Sequence, residues 1–409
     1  MLAKVLRVLP VARARKLIGD RKSKNLLKVK TVLERRPQLL LDVSILAKND
    51  SGTGIQRVVR AIWNELEKDS GIFDLNPVCA SKKKPYSYVN RDGVTGLKRI
   101  TVSDGDVFLG LDWSADILSA NDSQLLSWRM HGCTIHTIVY DFLPVNHPSW
   151  FSKPTVRKFG RWIKTVAVYS DSLICISKVV KNDAKFWFRD KFKLDSKNIS
   201  FHVFPLGADL ASSCHSRGIR EIEQDWIDKL IRVSYFIQVG TLEPRKGHED
   251  VLNAFEELWA QGQNLALVQV GRPGWKTESL QARIKNHSEY GKNLFWFDQG
   301  SDEVLEVLYR DACGVIVGSL GEGFGLPVIE AATYDKQVLA RDIPVFREIG
   351  GSNVRYSSFQ SKESLAEDIK VFFDDVINGS KKIVSSNDAL NTWEKSKDAL
   401  MNILLDHKS

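Results

Sequence analysis

Short apolar runs rich in β-branched residues recur along this chain. Between them lie stretches in which apolar residues return every three or four positions. In the first half the runs fall at 38–46, 106–113, 134–142, 172–176 and 199–204. In the second half they fall at 233–239, 265–270, 294–297, 314–317 and 338–340. Runs of this length, closed by Gly or polar residues, predict buried parallel strands. The helical period is clear over 55–66, 249–259 and 303–309, and a last helix is expected over 389–405. Alternation of the two patterns predicts an α/β protein with two halves, each a mostly parallel sheet covered by helices. The halves meet between Pro205 and Arg232, where 212–228 is polar.

Composition agrees with two domains and adds one feature. The 409 residues are 43% hydrophobic, enough for full cores. No run approaches the roughly 18 apolar residues of a membrane-spanning helix, and the N-terminus lacks the apolar centre of a secretory signal. Cys79, Cys133, Cys175, Cys214 and Cys313 are scattered, odd in number and without a C-x-x-C pair. That argues against a disulfide framework or structural zinc, and for a reducing cytoplasm. Residues 1–36 hold twelve Lys/Arg against Asp20 and Glu34, a net +10, so the other 373 residues carry −2 of the chain's +8. Leu2, Val5, Leu6 and Leu9 recur at helical spacing within this basic tail. Two readings stay open for it. One is a solvated arm. The other is an amphipathic helix on an anionic membrane, where each base contributes about 1 kcal/mol. Nucleic acid is not expected, because nothing in the body interleaves aromatic and basic residues at a recognised spacing.

Candidate chemistry concentrates in the second half. The run 314–320 closes on Gly318 and Ser319 and leads into Glu322-Gly-Phe-Gly-Leu-Pro-Val-Ile-Glu330. Two carboxylates eight positions apart thus flank a strand-to-helix turn, where unpaired N–H groups and the helix dipole favour anions. Gly323, Phe324, Gly325 and Leu326 would offer backbone N–H groups there. Glu330 can reach a hydroxylated group beside bound phosphates. Arg245 and Lys246, in Val239-Gly-Thr-Leu-Glu-Pro-Arg-Lys-Gly247, follow another predicted strand. Bases at a helix start oppose its dipole, so they point to a bound anion, with Arg as a fork and Lys as a point charge. Both are expected to be solvent-accessible without ligand. Asp104-Gly-Asp106 reads as a turn and not as a metal site. No His, Cys and carboxylate cluster suggests a metal. His136 reads as a strand residue and His147 as a loop residue. Ser51-Gly52-Thr53-Gly54 is either an ordinary strand-to-helix turn or a ligand loop.

Six segments together resemble the retaining nucleotide-sugar glycosyltransferases of family 4, of the two-domain GT-B class. The Glu-x7-Glu element and the 239–247 loop are the first two. Ser177 with Asp183 and the 204–209 linker resemble the inter-domain stretch, and Tyr140-Asp141 with His147-Pro148 the first-domain sugar segment. Gly52 to Gly54 resembles the first Gly-rich loop, and Trp393-Glu394 the C-terminal helix signature. The resemblance implies two Rossmann-like domains facing across a cleft, with the last helix returning to the first. The implied boundaries are a basic tail at 1–36, an acceptor-side domain at 37–207, a donor-binding domain at 208–390 and the returning helix at 391–409. It implies that Glu322 meets the transferred sugar, Glu330 the nucleotide ribose, and Arg245 and Lys246 the diphosphate. Thr241 stands where the family often has Arg, and Tyr140 where it often has His, which makes Asp141 the better sugar contact. Donor contacts from Gly52, Thr53 and Gly54 follow likewise.

The implied activity is metal-independent and cofactor-free transfer of a sugar, first of all mannose from GDP-mannose. The acceptor is a glycan, lipid-linked if the tail lies on the membrane, in surface-polysaccharide synthesis such as lipopolysaccharide. A rhamnosyl- or other hexosyltransferase, a non-catalytic nucleotide-sugar-binding assembly subunit, and a GT-B enzyme of another type remain as alternatives.

Overall fold

The computed structural model describes residues 2–26, 35–50, 52–91, 99–208, 218–379 and 391–406. Ser51, Asp209, the 212–217 part of the connector, Cys214 and positions 389–390 of the expected last helix lie outside them. The chain forms two compact units, Met1–Gly207 with Thr392–Ser409, and Ala208–Asn391.

The first unit begins with α1 (Leu2–Val8) and α2 (Val11–Leu26), then β1 (Gln38–Asp42), α3 (Gly54–Lys68), β2 (Asp74–Cys79) and β3 (Ser87–Tyr88). It continues with β4 (Val107–Gly110), α4 (Ala115–Ala120), α5 (Asp122–Met130), β5 (Thr134–Val139), α6 (Leu143–Asn146), α7 (Lys153–Tyr169), β6 (Ser172–Cys175), α8 (Lys178–Phe192) and β7 (Ser200–Val203). Its seven strands are ordered β3-β2-β1-β4-β5-β6-β7, parallel except for β3.

The second unit runs α9 (Glu221–Leu230), β8 (Tyr235–Val239), α10 (His248–Ala260), β9 (Ala266–Val270), α11 (Glu278–Lys285), β10 (Leu294–Phe297), α12 (Asp302–Asp311) and β11 (Gly314–Val317). Then come α13 (Leu326–Thr333), β12 (Val338–Arg341), α14 (Pro344–Ile349), β13 (Val354–Ser357) and α15 (Lys362–Ile377). Its six parallel strands are ordered β10-β9-β8-β11-β12-β13. The last helix, α16 (Trp393–Asp406), belongs to the first unit. It packs on α3, buries Trp393 and donates from the Ser396 hydroxyl to the Pro205 carbonyl at 2.8 Å.

Strands β9, β10, β11 and β12 are buried along nearly their whole length. Burial on both faces is why they read as unbroken apolar runs. Strand β1 ends at Asp42, four residues short of its apolar run. The Asp42 carboxylate turns back to accept from the backbone and hydroxyl of Ser44 and the hydroxyls of Ser114 and Tyr86.

The basic N-terminal segment is not a solvated arm, because it packs onto the first unit. Helices α1 and α2 pack on α5 and α7, burying Ala3, Leu6, Val11, Ala14 and Ile18. Arg7 pairs with the nearly buried Asp122 at 2.5 Å. Arg15 donates to the carbonyls of Ala167 at 2.9 Å and Ser170 at 2.8 Å. Arg35 reaches the fully buried Asp106 at 2.6 Å. The helical apolar spacing serves an intramolecular core, and several of the bases pair with buried carboxylates and carbonyls. Val5 and Val8 remain exposed.

Candidate active site

Both sheets reverse their strand order beside their first strand. In the second sheet β9 and β10 lie on one side of β8, and β11 lies on the other. The loops leaving the carboxyl ends of β8 and β11 therefore diverge at this point, where open α/β sheets hold their ligands. The β8 loop carries Thr241, Arg245 and Lys246. The β11 loop carries Glu322 to Gly325 and feeds α13.

The two loops clasp each other. The Leu320 N–H donates to the Arg245 carbonyl at 2.7 Å. Gly247 has φ +67°, and a Cβ there would sit 2.2 Å from the Gly318 carbonyl oxygen, so only glycine permits this approach. Gly325, at φ +108°, turns the chain into α13 against the ring of Phe346.

Their side chains form one ionic cluster. Lys246 Nζ lies 2.5 Å from one Glu322 oxygen, and Arg245 2.8 Å from the other. The Ser319 hydroxyl donates to Glu322 at 2.7 Å, and Arg245 also holds Glu243 at 2.7 Å. Two cations thus face two carboxylates. The expectation of solvent-accessible bases is corrected here. Arg245 and Lys246 are only 15% and 14% exposed, because Glu243 and Glu322 already neutralise them. Burial alone would raise the Glu322 pKa, but the charges of Lys246 and Arg245 outweigh it and draw it down to about 2. Burial, with help from Lys246, lowers the neighbouring His248 to about 3, so it stays neutral.

A stability prediction follows from Glu322. Its folded pKa lies below the ordinary 4.5, so its contribution is complete above that pH and is lost as the pH falls towards 2. The unfolding free energy should decline across this window by up to about 3 kcal/mol. Glu322→Gln should flatten the decline in a denaturant titration at several pH values. Equal slopes in the two proteins would detach Glu322 from the cations.

Glu330 sits in the second turn of α13, nearly buried, and accepts from the Tyr309 hydroxyl at 2.9 Å. Thr241 lies in the turn directly after β8, and Phe324 packs inward. The predicted residues Thr241, Arg245, Lys246, Glu322 to Leu326 and Glu330 thus share the β8–β11 end of one sheet or the helix leaving it.

Gly52, Thr53, Gly54 and Asp141 are in the first unit, also beyond the carboxyl ends of strands. Thr53 caps α3 in a capping box with Gln56, and Gly52 has φ +63°. Asp141 accepts from the Leu143 N–H at 3.1 Å. Tyr140 is buried and donates to the Leu111 carbonyl at 2.8 Å, tying the ends of β4 and β5 together. His136 is fully buried between Ser172 and Thr134. Asp106 anchors Arg35 and the start of β1. Sequence reasoning missed Glu243, Ser319 and Tyr309. Glu243 was legible as an acid two residues before Arg245, whereas the other two meet their partners only through the fold.

Residues 228–385, which hold the whole cluster, match the family described as glycosyl transferases group 1. The chain is 36% identical over 375 residues to the serotype-specific mannosyltransferase WbdA of Escherichia coli, covering 89% of this chain and 46% of that protein. It is 32% identical over 149 residues to the O-antigen chain mannosyltransferase RfbU of Salmonella typhimurium, covering 36% and 41% respectively. The chain spans about half the length of the curated relatives it matches. The fold is shared with HepE of Anabaena, solved with UDP and glucose, at a TM-score of 0.61 and 14% identity over 90% of this chain and 99% of that one. It is shared too with a sucrose-phosphate synthase of Thermosynechococcus elongatus, at 0.63 and 16% identity over 91% and 100%. The second unit thus carries a glycosyl transferases group 1 domain at 228–385, and the two parallel-sheet units have the GT-B fold.

Proposed function

We propose that this chain is a retaining, metal-independent glycosyltransferase of surface-polysaccharide synthesis. It moves a sugar, in the first instance mannose from GDP-mannose, onto a hydroxyl of a glycan. The observation that carries this reading is the convergence of Arg245, Lys246 and Glu322 at the strand-order reversal of the second sheet. The mannosyltransferase names of the two relatives support the choice of sugar.

In the proposed step the bond between sugar C1 and the diphosphate oxygen breaks. The acceptor oxygen bonds to C1 on the same face, and its proton passes to the departing phosphate. Arg245 and Lys246 take the charge that grows on the diphosphate, a role that rewards fixed cations in a partly dry site. Glu322, released from them, faces the sugar hydroxyls, and Glu330 the ribose. Backbone N–H groups of Gly323 to Leu326 complete the anion site at the start of α13. The family resemblance assigns Asp141 to the sugar and Gly52, Thr53 and Gly54 to the donor.

The test is transfer from nucleotide sugars to mannose-ended acceptors, with and without EDTA. The expected product keeps the donor's anomeric configuration, and its rate survives chelation. Loss on chelation with recovery by manganese would overturn the metal-independent part. Donor binding without any transfer would favour an assembly subunit. A lipid-linked acceptor at an anionic membrane is the setting that the exposed bases of α1, α2 and α7 support, and salt-sensitive co-sedimentation with anionic vesicles tests it. Among the described residues no helix is long and apolar enough to cross a membrane.

A further inference from the structure

We infer that Asp112 is a positioning residue for the 52–54 loop of the first unit, acting as one half of a buried carboxylate pair with Asp42. The charge state of the pair sets how firmly the approach to that loop is held. The inference rests on the nucleotide-sugar reading above, which makes the loop a ligand contact.

The pair sits where the first sheet reverses its strand order, with β2 and β3 on one side of β1 and β4 on the other. Asp42 ends β1, and Asp112 lies two residues beyond β4. The Asp112 N–H donates to the Asp42 carbonyl at 3.2 Å, so the two backbones are bonded directly. Asp42 is fully buried and Asp112 is 6% exposed. Their carboxylates hold three consecutive residues. Asp42 accepts from the Ser44 N–H at 3.0 Å, and Asp112 from the N–H groups of Ile45 and Leu46 at 2.7 and 2.8 Å.

From there the hold passes towards the loop. The Ala47 N–H donates to the Val43 carbonyl at 2.8 Å and the Asn49 N–H to the Ile45 carbonyl at 2.9 Å, which makes one helical turn. The Asn49 carbonyl accepts from the Gln56 side chain at 2.6 Å, and Asp50 pairs with Arg60 of α3 at 3.0 Å. Gln56 also closes the capping box with Thr53. Gly52 to Gly54 therefore lie between a turn fixed by Asp112 and a helix start fixed by Gln56.

Two carboxylates this dry cannot both ionise without a cation. Among the described residues neither makes an ion pair. Asp42 takes four donors, two from Ser44 and one each from Ser114 and Tyr86, which favour its charge. The proton of the pair therefore rests on Asp112. Burial first, and then the charge of Asp42, pushes Asp112 up to about 7. Burial raises Asp42 as well, against the pull of its donors. Tyr86, Tyr140 and Cys79 face the pair from neighbouring segments. Burial raises all three, so none is charged near pH 7. Charged groups on adjoining helices are committed elsewhere, Arg60 to Asp50 and Asp116 of α4 to Lys82. As the pH rises through 7, a second charge enters the pair. Moving the Asp112 carboxylate relieves the repulsion, and the Ile45–Leu46 turn moves with it.

The test follows the full chain and Asp112→Asn from pH 5 to 8. Asparagine keeps an acceptor for the two N–H groups and cannot ionise. The folded pKa of Asp112 lies above the ordinary 3.8, so its stabilising contribution is complete in acid and is lost as the pH rises through 7. The melting temperature of the parent, relative to Asp112→Asn, should fall by about 5 °C or more across this range. Hydrogen exchange at the Ile45 and Leu46 amides, corrected for its chemical pH dependence, should lose protection with rising pH in the parent alone. The KM for the nucleotide sugar should rise about threefold or more from pH 6 to 8 in the parent and stay flat in Asp112→Asn. Asp42→Asn reads the pair from its other member and should lower the pH of the transition by about one unit or more. Protection at 45–46 that ignores pH in the parent would overturn the inference and leave the glycosyltransferase reading standing. So would an Asp112→Asn protein that keeps the parent's pH profile in KM. The expected melting and exchange profiles without transfer from any nucleotide sugar would uphold the pair and overturn the catalytic reading.

Discussion

Replacing Lys246 or Arg245 by alanine should lower turnover about a hundredfold or more, the usual cost of removing one preorganised group that stabilises transition-state charge. The same substitutions should also destabilise the free protein. Each base is held against Glu322, which is 10% exposed, and Arg245 also holds Glu243, which is 3% exposed. Removing one cation leaves a nearly buried carboxylate short of compensation. Loss of a full buried partner costs about 3–5 kcal/mol. Here Glu322 keeps a second cation and the Ser319 hydroxyl, so about 1–3 kcal/mol is expected for Lys246→Ala. Arg245→Ala should cost more, because it also removes the pair with Glu243. Steady-state kinetics and thermal melts of the same preparations check both halves. Unimpaired turnover would remove the pair from the diphosphate site. An unchanged melting temperature would show that the cluster adds nothing to stability.

Deleting residues 2–26 should unfold or severely destabilise the first unit. Leu6, Val11 and Ile18 are almost wholly buried against α5 and α7. Each such side chain contributes about 1.5–3 kcal/mol. Their removal would also uncover the apolar faces they cover and leave Asp122 without Arg7. The summed loss of roughly 5 kcal/mol or more approaches the whole stability of many domains. A gentler variant, Ile18→Ala, should cost about 2–5 kcal/mol. Calorimetric melting of the truncated and substituted proteins is the measurement. A truncated protein that melts like the parent would restore the picture of a detached arm, and with it a purely electrostatic role for those bases.

The strands of the second half were legible because burial on both faces strips them of polar positions, as in 294–297 and 314–317. Strand β2 was not. It reads Asp-Leu-Asn-Pro-Val-Cys, with Pro77 inside it and little burial except at Val78. Strand β13 is similarly half-buried and mixed. Such strands are set by their neighbours' ladders, and their own propensity is weak.

The sequence by itself determined the α/β alternation, the two Gly-rich turns, and the acid and base residues at the ends of β8 and β11. Those features are local: a run length, a glycine, a charge beside a helix start. Only the tertiary structure decided what these groups do to one another. Arg245 and Glu322 lie 77 positions apart, and their pairing depends on β8 and β11 being neighbours across the strand-order reversal. The same holds for the N-terminal segment. Its helical spacing was visible, but whether an apolar stripe meets lipid, solvent or a core depends on which surface lies opposite. Here α5 and α7 supply that surface, and bases of the segment meet Asp122, Asp106 and backbone carbonyls. A periodic pattern specifies a face, and the fold specifies its partner.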